Sequence, residues 1–179
     1  ELDYSLTEKC LKFFEKKYNI ISLKSFLDSK NNNKSLPPKS LIITFDDGLK
    51  NNYELYKIFK KRNIPVTIFL TSGIVGTNKG FWWNHNNSKF SNEELKKIPD
   101  NQRIEILLDN NFDENSELNI RESLSLNEIN EMNGIIDFQS HSVTHPILTK
   151  CDEAKACYEI NESKSSLEKL LNKTIYAFA

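Results

Sequence analysis

Three short runs of β-type residues constrain this chain most: residues 41–45 (LIITF), 65–71 (PVTIFLT) and 135–139 (IIDFQ). The first is apolar almost throughout, the pattern of a strand buried on both faces. Between the first and second lies a helical stretch, residues 52–62, with Leu55, Ile58 and Phe59 on its inward side. Strand, helix and strand in that order make a parallel βαβ unit. The third run is followed by an amphipathic helix over residues 152–171, with Cys157, Ile160, Leu167 and Leu171 along one side, and then by a fourth strand at 174–178. The chain has no internal repeat and reads as α/β, with a (β/α) barrel or part of one fitting best.

The remaining segments fit around that frame. Ser5 and Glu8 have capping-box spacing, and Leu6, Cys10, Phe13, Phe14 and Tyr18 can share the buried face of an opening helix. Residues 19–23 suit a short strand and 25–28 a short helix, while 29–40, with its two prolines, reads as a surface loop. Residues 125–132 begin with a second capping box, Ser125 and Glu128, and Gly134 is a helix stop. The 179 residues suit one domain. Residues 1–40 form a helical lead-in. Residues 41–179 form the barrel portion, interrupted at about 77–124 by an insertion that holds Trp82, Trp83 and a helical stretch at 93–108.

Charge removes one class of function. Twenty-four basic and 25 acidic side chains leave a net charge of −1, with no basic stripe, so nucleic acid is not an expected partner. No apolar run is long enough to cross a bilayer. The three cysteines, Cys10, Cys151 and Cys157, allow at most one disulfide, and they read as small buried or half-buried thiols.

Two constellations carry chemistry. Residues 44–48 (TFDDG) place Asp46 and Asp47 at the end of a buried strand. Adjacent strand residues point to opposite faces, so both carboxylates reach one site only where the strand breaks, and Gly48 allows such a break. Taken alone, the pair reads more readily as a solvated helix N-cap. Residues 141–145 (HSVTH) follow another strand and hold two of the chain's three histidines. Imidazoles four apart converge on one ion across a helical turn or a tight loop, and Pro146 favours the loop. By itself this pair reads as surface histidines just as well. Together the motifs sit at the C-terminal ends of parallel strands, where α/β barrels gather functional groups. Asp with two His is a ligand set for Zn²⁺ or a similar divalent ion.

Residues 44–48 and 141–145 resemble the first and second motifs of the polysaccharide deacetylases of the NodB-homology type. The likeness extends to residues 64–69 (IPVTIF), to Glu159, Ile160, Ser163, Lys164, Leu167 and Glu168 of the helix after the histidines, and to the terminal residues 176–179 (YAFA). Residues 81–119 match poorly. The resemblance implies a distorted (β/α) barrel that removes acetyl groups, usually N-acetyl, from an acetylated amino-sugar glycan. It implies Asp46 as general base, and Asp47, His141 and His145 as ligands of one divalent ion, zinc being the first expectation. A cell-envelope or secreted location is likewise implied by resemblance only. Trp82 and Trp83 then have two readings, a stacking platform for a sugar ring or packing of the insertion against the barrel. The family's later motifs, which supply an oxyanion-hole backbone group, an arginine that orients the base and a histidine that protonates the leaving amine, fall outside residues 1–179. His85 reads as a bystander. Two expectations follow: a barrel incomplete at its C-terminal side, open to self-association along the strand at 174–178, and, as the alternative to an enzyme, a catalytically incomplete glycan- or metal-binding domain.

Overall fold

The computed structural model describes residues 4–85 and 89–179. Helix α1 (Tyr4–Lys17) leads into strand β1 (Asn19–Ile20), helix α2 (Leu23–Asn31) and strand β2 (Ser40–Leu41). Strand β3 (Thr44–Phe45), helix α3 (Asn52–Arg62) and strand β4 (Val66–Leu70) form the expected βαβ unit. The insertion contributes a 3₁₀ turn (Trp82–Asn84) and helices α4 (Asn92–Leu95) and α5 (Asp100–Asp109). Helix α6 (Leu126–Met132), strand β5 (Ile136–Ser140) and helix α7 (Glu153–Leu171) complete the order.

Both sheets are parallel. β3, β4 and β5 lie side by side in that order, Thr44 opposite Thr67 and Val66 opposite Ile136, while β1 pairs with β2 in a separate sheet. The run at 41–45 therefore serves two sheets. Leu41 accepts from the Ile21 N–H at 2.9 Å and Ile43 from the Thr67 N–H at 3.1 Å, so the chain changes partner between them. Among the described residues the strands form two open sheets, the incomplete and distorted form of the expected barrel.

Period-2 alternation divides the central sheet into two unlike faces. Val66, Ile68, Leu70, Ile136 and Phe138 belong to the main core, with Leu55 and Phe59 of α3, Ile129 and Met132 of α6, and Leu167 and Leu171 of α7. Thr67, Asp137 and Gln139 share the opposite, more polar face with Phe69. Gln139 is fully buried, and its Oε1 accepts from the backbone N–H groups of Tyr176 and Ala177 at 2.9 and 3.0 Å. That side chain takes the place of backbone partners. The segment at 174–178 consequently meets β5 through one parallel bridge, Ser140 with Phe178, instead of a full strand.

Other expectations shift for local reasons. Helix α1 begins at Tyr4, so Ser5 lies inside it, and it buries Thr7 and Leu11, with Phe14 against the core, instead of Leu6, Cys10 and Phe13. Arg62 of α3 meets Glu15 at 2.6 Å and Glu8 at 3.4 Å, which turns that face of α1 inward. Helix α2 runs three residues beyond the expected 28, into the region read as loop. The helix expected at 93–108 is broken before α5 by Pro99, which restricts Ile98 and cannot continue a helix. The capping box at Ser125 forms as read, with Glu128 Oε2 accepting from the Ser125 N–H and Ser125 Oγ from the Glu128 N–H.

Candidate metal centre

Strand β3 stops at Phe45 because the next residues leave extended geometry. Asp47 has φ of 71° and Gly48 of 72°, both left-handed. Asp tolerates this region better than most residues, and glycine is at home there. A Cβ on Gly48 would lie 2.7 Å from Leu70 Cδ2 and 2.9 Å from Val75 Cγ1, so the turn sits flat on β4. The Asp47 carbonyl accepts from the Thr71 N–H at 3.3 Å, which fixes the turn to the end of β4.

The histidines stand on the loop after β5. His141 continues the ladder, donating its N–H to the Leu70 carbonyl at 2.9 Å. Ser142 and His145 then adopt φ of 61° and 59°, so the pair lies on a tight turn, as Pro146 suggested. Ser142 Oγ accepts from the His145 N–H at 3.1 Å. Ser72 and Gly73 donate to the carbonyls of Ser142 and Val143 at 3.0 and 2.9 Å, joining this loop to the one after β4.

These turns bring Asp47 Oδ1 to 3.4 Å from His141 Nε2 and 3.2 Å from His145 Nε2, and one ligand atom from each residue lies within 4.8 Å of the others. Two ligands about 2.0–2.1 Å from a tetrahedral zinc stand about 3.3 Å apart, so the measured spacings fit that ion. His141 Nδ1 bonds the Ala179 carbonyl at 2.6 Å, which turns Nε2 toward Asp47, the arrangement a metal-binding imidazole needs. Burial works to raise the Asp47 carboxyl, but hydrogen bonds and charge from both histidines overcome it and hold the group at about 2. Burial likewise opposes charge on His141, and the Asp47 bond and charge, with the charge of Asp46, outweigh it and raise that imidazole. Asp46 is exposed at the rim, close enough for its charge to act on His141.

The two tryptophans separate. Trp82 is buried in the insertion's own small core with Leu95, Leu107 and Phe112, and its indole N–H donates to the His145 carbonyl at 3.0 Å. Trp83 is half-buried, and its ring lies 4.3 Å from the His145 ring in an edge contact. His85 belongs to the insertion, its Nε2 bonded to the Asn110 carbonyl at 2.7 Å, and it is not part of the Asp47 group.

Sequence reasoning missed two supports. Glu159 of α7 is buried, and its carboxylate accepts from the backbone of Val143 and Thr144. The resemblance marks Glu159 as one of the matching helix residues without giving it a role, and its place on the buried stripe with Ser163, Leu167 and Leu171 is one that an apolar search passes over. Buried Asp100 pairs with Arg103 and, at 2.7 Å, with Lys155 of α7, tying the insertion to that helix. Arg103 also lies 4.5 Å over the Trp82 ring.

The polysaccharide deacetylase family pattern matches residues 33–179, which include both motifs. No curated protein matches the chain by sequence. Among solved structures it is similar to the Streptococcus pyogenes deacetylase PplD, with a TM-score of 0.68 and 21% identity over 99% of this chain and 62% of that one. IcaB from Ammonifex degensii gives a TM-score of 0.64 and 17% identity over 99% of this chain and 65% of that protein. BC0361, a polysaccharide deacetylase from Bacillus cereus, gives 0.59 and 22% over 98% and 42%. The chain thus spans 42–65% of the length of these three structures. With its fold shared and its family pattern matched across both motifs, the chain belongs to the polysaccharide deacetylase family.

Proposed function

We propose that this chain carries the metal site of a hydrolase that removes acetyl groups, N-acetyl first, from an amino-sugar glycan. The observation that carries the reading is the convergence of Asp47, His141 and His145, with Asp46 exposed beside them. A divalent ion held by those three side chains, zinc by the spacing, would supply Lewis acidity to the acetyl carbonyl and to water. Asp46, the neighbouring carboxylate outside the ligand group, accepts the proton of the attacking water. Water adds to the acetyl carbon, the C–N bond breaks, and acetate and an amine leave. Asp47 and the histidines are fixed by backbone turns, so they hold their places through that change. Trp83 forms one wall beside His145, where a sugar ring can rest, whereas Trp82 packs the insertion and orients the His145 carbonyl.

The alternative reading is a glycan- or metal-binding domain without turnover. His85 is engaged with the Asn110 carbonyl inside the insertion, apart from the Asp47 group. Acetate release from N-acetylated chitooligosaccharides by the full-length protein separates the two. The enzyme reading expects release that stops on chelation. Asp46→Asn should abolish turnover and keep the metal, whereas Asp47→Ala and His145→Ala should lose the metal. Release that survives both chelation and Asp46→Asn would sink the mechanism, and metal and glycan binding without release would establish the second reading.

A further inference from the structure

The loop that carries both histidines is held from beneath by one side chain. Glu159 of α7 is 1% exposed. Its Oε2 accepts from the N–H groups of Val143 and Thr144 at 2.7 and 2.9 Å, and its Oε1 accepts from Thr144 Oγ1 at 2.7 Å. A carboxylate is costly to bury unless hydrogen bonds compensate its charge, and bonds to an ionised acceptor are the strong ones. Here all three come from the two residues nearest the middle of the 141–145 turn. That turn contains two left-handed residues, Ser142 and His145, a conformation that non-glycine backbone keeps only when its surroundings enforce it.

We propose that Glu159 is a positioning residue of the metal centre, fixing the backbone between His141 and His145 so that both Nε2 atoms converge on Asp47 before an ion arrives. This rests on the reading of Asp47, His141 and His145 as metal ligands. Without Glu159 the N–H groups of Val143 and Thr144 lose their acceptor, the turn relaxes toward ordinary extended backbone, and binding an ion must rebuild it. Glutamine can keep the arrangement. Its amide oxygen accepts from the two N–H groups and its amide nitrogen donates to Thr144 Oγ1.

The test measures zinc dissociation constants by competition with a chromophoric chelator, and the visible spectrum of the cobalt-loaded site. Both are read in the full-length protein and its variants, with the melting temperature of the metal-free form as a control on folding. Glu159→Ala is expected to weaken zinc binding about 10–100-fold and to alter the cobalt spectrum, whereas Glu159→Gln stays within about threefold of native with a native spectrum. Native zinc affinity in Glu159→Ala overturns the proposal whatever its melting temperature. A loss in Glu159→Gln as large as in Glu159→Ala overturns it too, because the charge and not the geometry would then matter. If Glu159→Ala does not fold, Thr144→Val decides, since it removes only the Oγ1 bond. A severalfold loss of zinc affinity supports positioning, and unchanged affinity overturns it. A native protein that binds no zinc overturns the metal reading itself, an outcome seen before any variant is made.

Discussion

Adjacent acids with unlike surroundings divide the chemistry at the residue scale. Asp47 is half-buried and held at about 2 by two imidazoles, while Asp46 stands in solvent at the rim. The cysteines divide in the same way. Cys10 and Cys157 are exposed, against the expectation of buried thiols, and Cys151 is partly covered. Burial, and then the charge of Asp100, push the Cys151 thiol up to about 11. At pH 8 only about one Cys151 in a thousand is the reactive thiolate. Iodoacetamide at pH 8, followed by peptide mass spectrometry, should label Cys10 and Cys157 well before Cys151, and Cys151 labelling should climb as pH approaches 11. Equal labelling at pH 8 would contradict this environment. At this scale the sequence was legible where a side chain carries its own ligand atoms: Asp47, His141 and His145 meet because β3 and β5 end at the same edge of one parallel sheet, on either side of β4. The holding role of Glu159 was not legible, because its partners are chiefly backbone N–H groups, which every residue except proline possesses.

At the scale of elements, the turn after β3 is the most sharply specified piece. Gly48 is left-handed and lies against Leu70 and Val75, so Gly48→Ala meets both a backbone penalty and a steric one. Its expected cost is about 2–4 kcal/mol, read from the denaturant midpoint with an unchanged slope. An unshifted midpoint would mean that the turn relaxes freely. Helix α3 and strands β4 and β5 could be read closely because their periodicity and flanking turns agree. The division of 41–45 between two sheets could not, since an apolar run says that it is buried but not which neighbour it pairs with. Helix α7 was placed correctly along the chain and rotated wrongly about its axis. Its inward stripe includes Glu159 and Ser163, whose partners, the histidine loop and Ser140, are distant in sequence.

For the whole molecule, an ion in the Asp47 group would join the end of β3 to the end of β5 across β4. Zinc at about a hundred times its dissociation constant should add about 2.7 kcal/mol of stability. In a chain of this size that is a rise of about 5–10 °C in melting temperature, reversed by chelator and absent in Asp47→Ala. Equal melting with and without zinc would argue against the site. Ile160, Tyr176 and Phe178 are each about 40% exposed around the segment beside β5. Residues 1–179 prepared as an isolated chain are therefore expected to associate with rising concentration, which sedimentation velocity would show and a constant monomer mass would refute. The order of the sheet also sets a timetable. β4 lies between β3 and β5, so the aspartate and the histidines become neighbours only after both parallel crossovers have closed. Parallel pairing between distant segments is the slow part of assembling such a chain. On the proposed metal reading, an ion would lock the finished sheet and could not seed it: loading would belong to the last stage of folding, after the hydrophobic core has already chosen the topology.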